Sequence, residues 1–113
     1  MYAFVAANIG AVLGKVRIAK RLSGEFKRVL GSPYLPTPRQ LELLSRTISE
    51  IKTANLAAAR SAIKELSLAQ YWIEIAADPE AHASARRVGR EKGLSFLTSA
   101  ESELDQLATR LAH

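Results

Sequence analysis

The 113-residue sequence contains no cysteine, one tryptophan and two histidines. The absence of cysteine excludes a disulfide scaffold, thiolate metal sites, iron–sulfur ligation and a thiol nucleophile. It is also typical of proteins from a reducing compartment, so we expect the protein to be cytoplasmic.

Residue groupings that support catalysis are scarce as well. The two imidazoles, His82 and His113, lie far apart in the sequence and lack carboxylates at metal-ligand spacing, which favours a surface or capping role for His82 over a catalytic one. The glycines match neither a dinucleotide-binding fingerprint nor a phosphate-binding loop. We therefore predict a non-enzymatic protein with no catalytic residue, no cofactor and no metal site.

The longest uncharged stretch, residues 1–14, is too short to cross a bilayer. Fourteen helical residues span about 21 Å, whereas the hydrocarbon core is about 30 Å thick. Basic residues follow this stretch instead of preceding it, unlike in an export signal. A buried core helix is favoured over a membrane-surface anchor or a membrane span.

Hydrophobic residues make up 48% of the chain and charged residues 24%, a balance typical of a globular domain. Apolar or small residues recur at alternating spacings of four and three along residues 3–30 and predict a first helix there. The segment 31–38 holds three prolines and ends this helix. Thr37 as N-cap, Pro38 at the first helical position and Gln40 completing a capping box predict the start of the next helix.

Residues 39–77 contain no glycine or proline, and we expect either one long helix or two, with a break near 53–55 or at Ser67. Asp78 and Pro79 predict an N-cap and first turn of a short helix that runs to about Lys92. Gly93 is expected to stop or kink the chain before a last helix. Residues 1–113 are thus predicted to form one all-α antiparallel bundle of four or five helices.

The spacing also predicts which side chains form the core. Trp72 is expected to be buried more than to act as a binding hot spot, and small residues at Ala6, Gly10 and Gly14 form a ridge on which another helix can pack. The predicted core residues are Val5, Ile9, Val12, Val16, Phe26, Leu44, Ile48, Ile51, Ile63, Leu66, Ile73, Leu104 and Leu107.

Positive charge is concentrated in one part of the chain. Residues 15–28 hold six basic residues against Glu25, and this excess equals the formal net charge of +5 of the whole chain. We call these six the α1 basic cluster: Lys15, Arg17, Lys20, Arg21, Lys27 and Arg28. On a helix, its three arginines fall near one line with Gly24 between them, which would allow close approach of a phosphate backbone.

A second basic group, the α4 basic cluster, consists of Arg86, Arg87, Arg90 and Lys92, and the two clusters are expected to converge. The functional interpretation is a surface for nucleic-acid phosphates or for an acidic protein. The alternative is a solvated face neutralised by the acidic groups Glu74-Asp78-Glu80 and Glu101-Glu103-Asp105. The aromatic residues lie mostly elsewhere, which favours phosphate contacts over base readout.

The segment SFLTSAESELDQLATRLA (95–112) resembles a helix of the small four-helix-bundle proteins associated with ribosomal-RNA intervening sequences and with diversity-generating retroelements. In size, charge and lack of motifs, the chain is also similar to small helical subunits of RNA-guided interference complexes. We expect an accessory subunit that binds RNA or DNA backbone within a larger complex or as a homo-oligomer. The alternative is a docking or adaptor bundle, homo-oligomeric or chaperone-like, without a nucleic-acid role.

Overall fold

A computed structural model describes the backbone of residues 2–113 and the side chains of residues 9–113. The described chain confirms the predicted all-α fold. A short 3₁₀ turn, Ala57–Ala59, separates the second and third helices. The four α-helices are α1 (Tyr2–Leu30), α2 (Pro38–Thr53), α3 (Arg60–Ala77) and α4 (Ala83–Ala112).

The helices form one elongated bundle of 51 × 22 × 18 Å. Helix α1 packs against α2 and α4, and α3 also packs against α2 and α4, so the four helices enclose a common core. Lys15 of α1 lies beside Glu50 near the end of α2, as antiparallel packing of these helices across the proline turn requires. This arrangement confirms the predicted pairing of the first two helices.

The start of α2 has the predicted capping box. The hydroxyl of Thr37 accepts a hydrogen bond from the backbone N–H of Gln40 at 3.1 Å, and the Gln40 side chain accepts one from the backbone N–H of Thr37 at 2.8 Å. Pro38 begins the helix, where a missing N–H costs nothing. Local chemistry therefore fixes where α2 begins.

Residues 39–77 form two helices, with the break at the first of the two predicted places. Asn55 has a φ of 54°, a left-handed conformation that asparagine tolerates better than most residues, and α2 ends just before it. Ser67 lies inside α3, so no break occurs there.

The predicted short helix at residues 79–92 is wrong. Asp78 is the C-cap of α3 and not the N-cap of α4, because its extended backbone is the conformation favoured before proline. Its carboxylate accepts a hydrogen bond from the backbone N–H of Glu80 at 2.9 Å, which closes a turn. Helix α4 begins only at Ala83, with His82 as its N-cap residue.

The predicted stop at Gly93 is also wrong, because α4 continues through it to Ala112. Gly89 is buried against α3, and Gly93 is buried between Leu30 of α1 and Ile73 of α3. A Cβ at Gly89 would lie 2.8 Å from the backbone oxygen of Trp72 and 2.8 Å from the backbone nitrogen of Ala76. The glycines therefore permit close helix packing and do not end the helix.

Ten of the predicted core residues are buried. Ile9 and Ile63 are half-buried, and the side chain of Val5 lies outside the described residues. The prediction missed large residues such as Leu22 and Leu97 and several alanines of α3. Two polar side chains are also buried, and each donates to a backbone oxygen four positions earlier: Ser23 to Ala19 and Thr47 to Leu43.

The predicted packing ridge on α1 has no partner within the described residues. Gly10 and Gly14 are exposed, and a Cβ at either would meet no atom within 4 Å. The Ala6 side chain lies outside the described residues. Within residues 2–113, no helix combines the length and apolar character that crossing a bilayer requires.

Replacing Gly89 with alanine should destabilise the protein strongly. The added methyl group would collide with the α3 backbone, which cannot move away as a flexible side chain can. We expect Gly89→Ala to lower the free energy of unfolding by about 3 kcal/mol, measured by urea denaturation.

Gly24→Ala is the matched control, because Gly24 also lies inside a helix but a Cβ added there would meet no atom within 4 Å. Alanine should raise the free energy of unfolding there by about 0.5–1 kcal/mol. An unchanged urea midpoint for Gly89→Ala would mean that α3 and α4 do not approach this closely.

Candidate nucleic-acid interface

The three arginines of the α1 basic cluster lie on the solvent side of the helix. Arg17, Arg21 and Arg28 are all exposed, whereas buried residues such as Val16 and Phe26 lie on the opposite side. At 3.6 residues per turn, the three positions fall on one side of α1 and extend over about 16 Å. We call this surface the α1 arginine face.

The three lysines of the same cluster are engaged in ion pairs with neighbouring helices. The Lys15 ammonium lies 2.5 Å from a carboxylate oxygen of Glu50 on α2, and Lys27 lies 2.9 Å from Glu101 on α4. Lys20 pairs with Asp105, also on α4. These side chains are partly exposed, so each pair contributes little to stability. Their main effect is to neutralise the charge at the flanks of the α1 arginine face.

The arginines of the α1 arginine face form none of the ion pairs found among the described residues. Gly24 lies between Arg21 and Arg28, and apart from the adjoining backbone of α1, no described atom comes within 4 Å of where its Cβ would be. The face is therefore positively charged, open and shallow at its centre. Such a surface is suited to contact with an extended anion such as a phosphate backbone.

Arg90 of the α4 basic cluster has a structural role. Its guanidinium donates hydrogen bonds to the backbone oxygens of Leu30 at 2.9 Å, Ser32 at 2.6 Å and Tyr34 at 3.0 Å. Two of these oxygens lie beyond the end of α1, in the proline-containing loop. The positive charge also lies at the C-terminal end of α1, where the helix dipole favours a cation. Arg90 thereby fixes α4 to the loop between α1 and α2.

Arg86 performs a similar role in the loop between α3 and α4. Its guanidinium donates to the backbone oxygens of Pro79 and Ala81, both at 3.0 Å. His82 is exposed, and its Nδ1 lies 3.1 Å from the Ser84 hydroxyl oxygen. Arg86 and Arg90 of the α4 basic cluster are therefore both held by hydrogen bonds to backbone carbonyls of their own chain.

The other two members of the α4 basic cluster, Arg87 and Lys92, are exposed and form none of the ion pairs of the described residues. The contacts of Arg90 hold α4 at the C-terminal end of α1. No motif in the sequence distinguishes Arg90 from Arg87. The distinction depends on a contact between residues 60 positions apart.

Replacing Arg90 with alanine should destabilise the bundle. The substitution would remove three charge-assisted hydrogen bonds and leave the carbonyls at the end of α1 without this donor. We expect the free energy of unfolding to fall by about 2 kcal/mol, measured by chemical denaturation. Arg90→Lys should rescue little, since an ammonium cannot reproduce the planar fork.

Arg87→Ala is the control for this experiment, because it removes the same charge from an exposed position on the same helix. It should change the free energy of unfolding by less than about 0.5 kcal/mol. Equal effects at the two positions would indicate that general charge, and not the contacts of Arg90, matters for stability.

The described residues contain no group of three or more acidic or histidine side chains arranged to hold a metal ion. Of the predicted binding residues, the three arginines of α1 lie together on its exposed side. The three lysines of α1 form ion pairs, and Arg86 and Arg90 donate hydrogen bonds to backbone oxygens. No protein-family model matches the chain, and no curated protein or solved structure is found to be similar to it.

Proposed function

We propose that the protein is a non-enzymatic, cytoplasmic accessory subunit that binds nucleic-acid backbone through the α1 arginine face. The observation that carries the proposal is the position of Arg17, Arg21 and Arg28 on a solvent-exposed side of α1, outside the ion pairs of the described residues. The protein is proposed to act within a larger nucleoprotein complex or as a homo-oligomer.

Arginine is well suited to this role. Its guanidinium stays charged at all physiological pH values and donates two parallel hydrogen bonds to phosphate oxygens. Few aromatic side chains accompany the arginines, since Phe26 is buried in the core and Tyr71 and Trp72 lie on α3. Binding should therefore follow the phosphates and show little preference for base sequence.

The geometry reduces the number of groups expected to contact phosphates. Six free basic residues would give a logarithmic salt slope of about −5 on duplex DNA. Because the three lysines are engaged in ion pairs, three arginines remain, and the expected slope is about −2.7. The exposed residues Arg87 and Lys92 would make the salt slope steeper only if the nucleic acid also contacts the first part of α4.

The α1 arginine face should be required for nucleic-acid binding. We expect the wild-type protein to bind single- or double-stranded DNA or RNA at low salt, measured by fluorescence anisotropy at several salt concentrations. The variant Arg17→Ala/Arg21→Ala/Arg28→Ala should lose most of this affinity and most of its salt dependence.

The matched control is Arg39→Ala/Arg60→Ala/Arg110→Ala, which removes three exposed arginines from the other helices, none of them in an ion pair of the described residues, and gives the same net charge. It should retain binding close to that of the wild type. If the wild type binds no nucleic acid at low salt, or if the two triple variants weaken binding equally, the proposal is wrong.

A docking bundle is the second candidate function, and one observation favours it. Tyr71 is 59% exposed on α3, its ring packs edge-on against Trp72 with centroids 5.1 Å apart, and Val88 is 38% exposed on α4. Exposed aromatic residues are common in protein interfaces. This candidate requires association with another protein chain or with a second copy.

Self-association can be measured by sedimentation velocity over a range of concentrations. If Tyr71 and Val88 contribute to a homo-oligomer, the wild type should show a concentration-dependent increase in sedimentation coefficient that Tyr71→Gln/Val88→Gln abolishes. Leu43→Gln is the control, because Leu43 is 37% exposed on α2. A wild-type protein that stays monomeric at high micromolar concentration would rule out the homo-oligomeric form of this candidate.

A further inference from the structure

A second positively charged site lies at the junction of α2 and α3, where the chain reverses direction. A cavity of about 280 Å³ is present there, and it is open to solvent on one side. Its lining comes from the last turn of α2, from the reversal itself and from the first turns of α3. The lining residues are Lys52, Asn55, Leu56, Arg60, Ile63 and Lys64.

Three of the six lining residues are basic and none is acidic. Lys52, Arg60 and Lys64 are exposed and form none of the ion pairs found in the described part of the chain. Arg60 and Lys64 are four positions apart on one helix, a like-charge arrangement that is unfavourable in itself. A concave surface with charges of one sign concentrates the electrostatic potential and attracts anions.

The other lining residues add an apolar surface and a polar amide. Leu56 and Ile63 are half-buried and pack against the core, so they form a fixed apolar wall. Asn55 is held in the left-handed conformation that ends α2. Its side-chain amide makes none of the hydrogen bonds formed within residues 9–113, and it provides both a donor and an acceptor at the cavity.

We infer that this cavity binds a small organic phosphomonoester, with the phosphate beside Lys52, Arg60 and Lys64 and the apolar body against Leu56 and Ile63. A dianionic phosphate matches three nearby cations better than a carboxylate does, and arginine can donate two hydrogen bonds to it. The volume is slightly below the range of about 300–1,000 Å³ found for drug-sized ligands, so the ligand should be compact. This site shares no residue with the α1 arginine face and does not depend on nucleic-acid binding.

Phenyl phosphate is a suitable probe, because it combines a phosphomonoester with a compact apolar ring. Two comparison ligands separate the contributions: inorganic phosphate lacks the ring, and benzyl alcohol lacks the charge. Binding is measured by NMR titration of the intact protein, with the Asn55 side-chain amide and the Leu56 backbone amide as local reporters. We expect saturable binding of phenyl phosphate with a dissociation constant of about 1 mM or lower.

Inorganic phosphate should bind about tenfold more weakly than phenyl phosphate, and benzyl alcohol should not bind measurably. The variant Arg60→Gln/Lys64→Gln should weaken phenyl phosphate binding at least about tenfold. The control Arg39→Gln/Arg110→Gln removes two charges from exposed positions on α2 and α4 that form none of the ion pairs of the described residues, and it should leave binding unchanged. The variant Ile63→Ser should reduce the preference for phenyl phosphate over inorganic phosphate.

Three results would overturn the inference. These are the absence of saturation with phenyl phosphate at low salt, chemical-shift changes confined to α1, and equal weakening by Arg60→Gln/Lys64→Gln and its control. Equal affinity for inorganic phosphate and phenyl phosphate would overturn the assignment of the apolar body to Leu56 and Ile63. The variant with alanine at Arg17, Arg21 and Arg28 should still bind phenyl phosphate, which separates this site from the proposed nucleic-acid interface.

Discussion

The close approach of α3 and α4 is the contact on which the arrangement of the bundle depends. It requires Gly89 on α4, and the buried alanines of α3, such as Ala69 and Ala76, keep the facing surface small. Because α4 continues unbroken past Gly89 and Gly93, it is long enough to pack along α1 as well as α3. The contacts of α4 with Lys20, Lys27 and the end of α1 all follow from this continuity.

The structure uses lysine and arginine in different ways. Lys15, Lys20 and Lys27 lie at the two seams where α1 meets its neighbours and form single ion pairs across them. Arg86 and Arg90 instead hold irregular backbone, because a planar guanidinium can donate to several carbonyl oxygens that diverge from a helix end. On α1, the basic residues outside these ion pairs are the three arginines Arg17, Arg21 and Arg28, and they lie on the side of the helix that faces away from the bundle.

Local patterns in the sequence predict the all-α fold class, the bounds of α1, the capping box of Thr37 and the break near residues 53–55. Each of these features depends on neighbours within a few positions. The pair Asp78-Pro79 can either end one helix or start the next, so the sequence alone does not distinguish the two. Proline favours an extended backbone at Asp78, and Asp78 therefore ends α3. The prediction at Gly93 fails because glycine, too, is compatible with two structures. A glycine can end a helix or allow close packing, and only the positions of α1 and α3 show which applies.

The candidate sites share one energetic property that the fold does not require. Arg17 and Arg21 lie four positions apart on α1, as Arg60 and Lys64 do on α3, and each like-charge pair is unfavourable by about 0.2–0.5 kcal/mol. No ion pair within the described residues offsets either pair, and neither pair fills the core. By contrast, Lys20 and Lys27 are offset by carboxylates of α4. A bound anion would offset the repulsion in either pair, and this is the energetic property that the two proposals share.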